Sequence, residues 1–127
     1  MTASKPQILI IEDDATVLKP LETKFEADGL SVVTAADGLA GLKTALEQEP
    51  ELILLDIIMP RMDGLTMLQK LRASGAYGKS VPVVVLTNLS DAESVEEAAA
   101  NGVYDFLVKA NWQLKDLVDL VKTKLNK

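Results

Sequence analysis

The sequence predicts an α/β fold, a doubly wound five-stranded parallel sheet with helices on both faces. Ile8–Ile11, Leu52–Leu55 and Val83–Leu86 are short uninterrupted apolar runs, the pattern of strands buried on both faces of a parallel sheet. Segments with apolar residues at helical spacing alternate with them. The 127 residues, 48% of them hydrophobic and 25% charged, suffice to enclose one core and leave no room for a second. Residues 1–127 are therefore expected to form one domain, with 1–6 a flexible N-terminal tail.

Taken in order, Ile8–Ile11 is the first strand, and Val17, Leu18, Leu21 and Phe25 form the apolar stripe of the first helix. Asp13 or Asp14 is placed to cap that helix. Ser31–Ala35 mixes polar and apolar residues, as an edge strand does. The second helix takes its stripe from Leu39, Leu42, Ala45 and Leu46. After Leu52–Leu55, Asp63-Gly64 reads as a cap or turn, and Leu65, Leu68 and Leu71 mark a third helix. Val83–Leu86 is the fourth strand, and Ser90–Glu93 reads as a capping box opening a fourth helix, which Asn101-Gly102 closes. Its apolar face is only Val95, Ala98 and Ala99, so it is expected to be loosely held. Tyr104–Val108 is the second edge strand. Leu114, Leu117, Val118, Val121 and Leu125 then share one face of the last helix, with Asn111 as N-cap. Five βα units imply right-handed crossovers and a three-layer sandwich. Three interior and two edge strands fit the strand order 2-1-3-4-5, one of the common doubly wound arrangements.

Composition removes whole classes of function. The chain has no cysteine and no histidine, which excludes disulfides, Cys or His zinc sites, and every Ser-His or Cys-His mechanism. Any metal must be held by oxygen. The formal charge of −6 repels phosphate backbones and anionic lipid, so neither nucleic acid nor membrane is an expected direct partner. Met1–Gln7 is short and polar, and no apolar run approaches a membrane span. The expected location is the cytoplasm.

In open α/β sheets, ligands bind at the carboxyl ends of the strands. Glu12 and Asp13 follow the first strand, Asp56 the third, Thr87 the fourth and Lys109 the fifth. Carboxylates, a hydroxyl and an ammonium thus converge on one edge. Three carboxylates repel one another unless a hard divalent cation takes their oxygens, and Mg2+ suits a site offering carboxylates plus phosphate oxygens. An aspartate there is placed to attack phosphorus and form an acyl phosphate. Positioning and charge neutralisation supply most of the catalysis in such reactions. Taken singly, each residue has a plainer reading: Asp13 as a helix cap, Thr87 as an ordinary strand end, Lys109 as a solvated lysine, Phe106 as core. Their conjunction at successive strand ends is what points to chemistry.

With those residues in place, the whole chain resembles the flavodoxin-like receiver domains of two-component response regulators, those of chemotaxis included. Ile8–Asp14 (ILIIEDD) resembles the first strand and acidic pair, and Leu54–Gly64 (LLDIIMPRMDG) the phosphoacceptor strand and its loop. Val83–Thr87 and Asp105–Lys109 (DFLVK) complete the pattern. The resemblance implies that Asp56 accepts a phosphoryl group. Glu12, Asp13, Asp56 and the Ile58 carbonyl would hold Mg2+, while Thr87 and Lys109 bind phosphoryl oxygens. It also implies a switch: Thr87 moves inward, Phe106 rotates from outside to inside, and the face made by the fourth helix, fifth strand and fifth helix changes shape. The implied donor is a sensor histidine kinase or a histidine phosphotransfer protein, and the implied target is a protein partner or an output domain.

Three positions depart from the family pattern. Lys109-Ala110 stands where Lys-Pro with a cis bond is common; a non-proline cis bond costs about 2.5 to 4 kcal/mol, so a trans bond is expected. Asn88 replaces a small residue and is expected to crowd the approach to Asp56. Phe106 replaces the commoner tyrosine and so lacks its hydroxyl. Among alternatives, a phosphorylation-independent pseudo-receiver predicts loss of the acidic set, which is retained. A haloacid-dehalogenase-like phosphatase needs a second aspartate two residues after the nucleophile, where this chain has Ile58. A nucleotide-binding loop after the first strand is opposed by Glu12-Asp13-Asp14.

Overall fold

The computed structural model describes residues 6–56, 64–87, 96, 99–103, 105–108 and 114–126, with side chains undescribed at 87, 105–108, 114 and 126. Its strands are β1 (Gln7–Ile11), β2 (Ser31–Ala35), β3 (Leu52–Asp56), β4 (Val83–Thr87) and β5 (Asp105–Val108). They form one parallel sheet in the order β2-β1-β3-β4-β5, so the two mixed-polarity strands lie at its edges. Helices α1 (Ala15–Ala27), α2 (Gly38–Gln48), α3 (Gly64–Arg72), α4 (Ala76–Ser80) and α5 (Leu114–Asn126) connect and cover it.

Period-two alternation divides the core into two layers. Ile8, Ile10, Leu52, Leu54, Val84 and Leu86 face α1 and α5, meeting Leu21, Phe25, Leu117, Val118 and Val121. Leu9, Ile11, Ile53, Leu55, Val83 and Val85 face the opposite layer, where Ala45, Met67, Leu68 and Leu71 cover them. Because the central strands bury both faces, their side chains must be continuously apolar. Each fully buried side chain of this size contributes roughly 1.5–3 kcal/mol.

The first, third and last helices bury most of the stripes expected of them: Leu21 and Phe25, Leu68 and Leu71, and Leu117, Val118 and Val121 are buried, while Val17, Leu18, Leu65 and Leu125 are half-buried against the core. The second buries only part of its stripe: Ala45 is buried and Leu42 packs against the core, but Leu39 and Leu46 are 52% and 41% exposed, and α2 also packs through Gly38 and Gly41. The cause is proximity, since a Cβ at Gly41 would lie 2.5 Å from Ile11 Cδ1. A helix this close to β1 presents its smallest residues inward, which turns Leu39 and Leu46 outward.

The short helix α4 was not expected. It sits against the end of α3, where Gly78 approaches the Leu71 carbonyl too closely for any side chain. The Tyr77 hydroxyl donates to the Pro50 carbonyl at 2.6 Å, tying α4 to the loop entering β3. Asn101-Gly102 does stop a helix, of which Glu96, Ala99 and Ala100 are described: Gly102 is left-handed (φ 80°) and its N–H donates to the Ala99 carbonyl. Asp63, Ser90–Glu93, Val95, Ala98, Tyr104 and Asn111 lie outside the described residues. On the other layer, Asp28 joins α1 to α5 through Lys24 at 3.8 Å and Lys122 at 3.7 Å.

Candidate functional site

The site grows from the carboxyl ends of adjacent strands. Glu12 continues β1 by one residue, its N–H donating to the Ala35 carbonyl at 3.0 Å. That bond carries its side chain to the sheet edge, where it is 1% exposed. Asp56 ends the neighbouring strand β3 opposite Leu86 and is 5% exposed. Asp13 follows Glu12 and is exposed. The next residue, Asp14, is the helix cap: its carboxylate accepts from Thr16 N–H at 2.9 Å and Thr16 Oγ1 at 2.6 Å. The acidic run therefore divides its labour, with Asp14 serving the helix and Glu12 and Asp13 left to the site.

Ligand oxygens of Glu12, Asp13 and Asp56 all lie within 4.8 Å of one another. Opposite oxygens around a small divalent cation with ligands near 2.1 Å are about 4 Å apart, so a small inward movement of these side chains brings them onto one hard ion. The donor set is oxygen only, as Mg2+ prefers. Burial adds to the case, because Glu12 and Asp56 are shielded from the water that would otherwise screen their mutual repulsion.

Thr87 ends β4, the strand next to Asp56, and pairs with Val108 of β5; Phe106 pairs with Val85. Their backbones thus stand where the sequence places them, while their side chains lie outside the description. Ile58, Asn88, Lys109 and Ala110 also lie outside the described residues.

One carboxylate at this edge escaped the sequence reading. Asp37, two residues beyond β2, is 7% exposed and caps α2 by accepting from Ala40 N–H at 2.8 Å. The available signal was an Asp-Gly pair before an apolar helical run. Asp37 is not among the three clustered carboxylates; the amino end of α2 is the favourable partner for its charge.

The response regulator receiver domain family matches residues 8–122. The transcriptional regulatory protein PrrA of Mycobacterium tuberculosis is 37% identical over 124 residues, covering 98% of this chain and 52% of PrrA. RpaA of Synechocystis sp., a DNA-binding dual master transcriptional regulator, is 35% identical over 104 residues, covering 82% of this chain and 43% of RpaA. The chain thus spans about half the length of these relatives. Among solved structures, the receiver domain of the sensor histidine kinase PA1611 from Pseudomonas aeruginosa superposes with a TM-score of 0.86 at 25% identity. The match covers 97% of this chain and 99% of that one, which carries a magnesium ion in its active site cleft.

Proposed function

The chain belongs to the response regulator receiver domain family, and from that premise we propose that it is a phosphorylation-dependent switch of two-component signalling with Asp56 as phosphoacceptor. The observation that carries this reading is the convergence of Glu12, Asp13 and Asp56 within 4.8 Å, with Asp56 at the end of a central strand. A pseudo-receiver, by contrast, has no use for a retained acidic set.

Asp56 acts as the nucleophile. One carboxylate oxygen attacks the phosphorus of a phosphohistidine donor; the O–P bond forms, the N–P bond breaks, and the electron pair leaves with the imidazole. Glu12, Asp13, Asp56 and the Ile58 carbonyl are the residues that would hold Mg2+, which when bound neutralises charge on the phosphoryl oxygens. Lys109 supplies a further positive charge and Thr87 a hydroxyl donor to those oxygens. Water attack on the same phosphorus later restores the Asp56 carboxylate. The protein is thus a signalling component that catalyses its own phosphorylation and dephosphorylation, not a conventional turnover enzyme.

The added charge of roughly −1.5 to −2 draws Thr87 and Lys109 inward, Phe106 follows, and the surface around β5 and α5 conveys the change. The partners are a sensor histidine kinase or histidine phosphotransfer protein upstream, and a protein target or output domain downstream. The expectation of no nucleic-acid partner needs narrowing. Its basis, the charge of −6, applies to this stretch alone, whereas RpaA is by name a DNA-binding protein of more than twice the matched length. Direct DNA contact is therefore assigned to an output domain and not to residues 1–127, which we treat as one receiver domain. No helix among the described residues is long and apolar enough to cross a membrane, and we place the protein in the cytoplasm with its kinase partner.

Incubation with a labelled phosphohistidine protein tests the reading. Label should reach the native chain in a linkage cleaved by hydroxylamine, as an acyl phosphate is, and should not reach Asp56→Asn. An alkali-stable label, or equal labelling of the variant, would overturn it.

A further inference from the structure

Arg72 ends α3, away from the carboxylate site, yet its half-buried guanidinium gathers carbonyls from three separate segments. Nε donates to the Asn101 carbonyl at 2.7 Å. Nη1 donates to the carbonyls of Gly78 at 2.9 Å and Val81 at 2.8 Å. One acceptor lies in the turn that closes the helix before β5, one in α4, and one in the strand-entry loop before β4.

These acceptors are not interchangeable surface groups. The Asn101 carbonyl lies at a helix carboxyl end, where the aligned peptide dipoles favour a cation. Gly102 beside it is left-handed, and a Cβ there would meet Arg72 Nε in ordinary contact at 3.8 Å. Val103, the next residue, is fully buried in the layer that also holds Met67 and Leu71 of α3. Gly78 is pressed onto the end of α3. A planar fork with fixed N–H directions can reach acceptors on two sides, whereas a lysine ends in a single nitrogen.

We infer that Arg72 is a positioning residue, a clamp that holds the carboxyl end of the helix before β5 and the entry to β4 in one fixed relation to α3. Through Val103 it sets where β5 begins, and through Val81 where β4 begins, so it governs the pairing of those strands. Their far ends are Thr87 and Val108, which face each other in the ladder. The inference does not depend on phosphorylation of Asp56.

Two amides report on the clamp. Gly102 N–H donates to the Ala99 carbonyl and Val81 N–H to the Tyr77 carbonyl, both at 3.0 Å and each beside a clamped segment. In Arg72→Ala and Arg72→Lys, hydrogen exchange at Gly102 and Val81 should accelerate together by about tenfold or more, against less than twofold at Ile10 and Leu54. The lysine variant keeps the charge and guards against loss of the fold in the alanine variant. Mg2+ affinity, which depends on β1 and β3, should stay within twofold of native in Arg72→Lys. Equal acceleration at all four amides in both variants, change at only one of Gly102 and Val81, or no change would each overturn the inference.

Discussion

Glu12 and Asp56 leave adjacent parallel strands at the same sheet edge, almost wholly buried, and aim carboxylates at one point shared with Asp13. Carboxylates gathered at this spacing repel one another, and a bound cation relieves that repulsion.

Removing one charge should therefore stabilise the metal-free chain. In a chelating buffer, Asp56→Asn should melt above the native protein. Saturating Mg2+ should reverse that order, because a ligand bound only by the folded state adds about 2.7 kcal/mol at 100 times its Kd. Calorimetric melting with and without Mg2+ checks both halves.

Gly41 tests the packing that delivers Glu12. Alanine at this α2 position gains about 1 kcal/mol of helix propensity, but its Cβ would stand 2.9–3.0 Å from Ile11 Cγ1 and Cγ2, on a side chain with no free space to retreat into. Overpacking typically costs about 1–3 kcal/mol, so the clash wins. Urea denaturation of Gly41→Ala should show net destabilisation of up to about 2 kcal/mol. Mg2+ affinity should fall as well, since Ile11 precedes Glu12.

Tyr77 provides a pH signature at the opposite end of the sheet. Burial, and after it the nearby Glu49 charge, push its phenol well above the usual value near 10, with Arg72 opposing. The folded pKa exceeds the unfolded one, so the stability the neutral phenol confers is complete below about pH 10 and is lost as pH rises further. Tyr77→Phe loses the bond to the Pro50 carbonyl, about 1 kcal/mol at neutral pH. That deficit should shrink between pH 10 and 11.5, because only the native chain carries this titration. Denaturation midpoints across that range give the result.

Most of the sheet was legible because burial on both faces leaves an apolar run, and Ser31–Ala35 betrayed its edge position by polarity. The acidic pair and Asp56 were legible because strand ends are where open sheets bind ligands. What escaped was set by distance between elements. Leu39 and Leu46 formed a plausible stripe until the closeness of Gly41 to Ile11 turned them outward. The α4 helix is five residues bounded by Gly75 and Val81, too short for periodicity to appear. Arg72 went unremarked in the sequence, since its three acceptors are backbone carbonyls that no side-chain pattern reveals.

Intact mass after incubation with Mg2+ and a small-molecule phosphodonor tests the central claim most directly. One phosphoryl adduct on the native chain, absent from Asp56→Asn and absent without Mg2+, is the predicted result. An adduct that persists in Asp56→Asn, or none on the native chain even with a phosphohistidine donor, would contradict it.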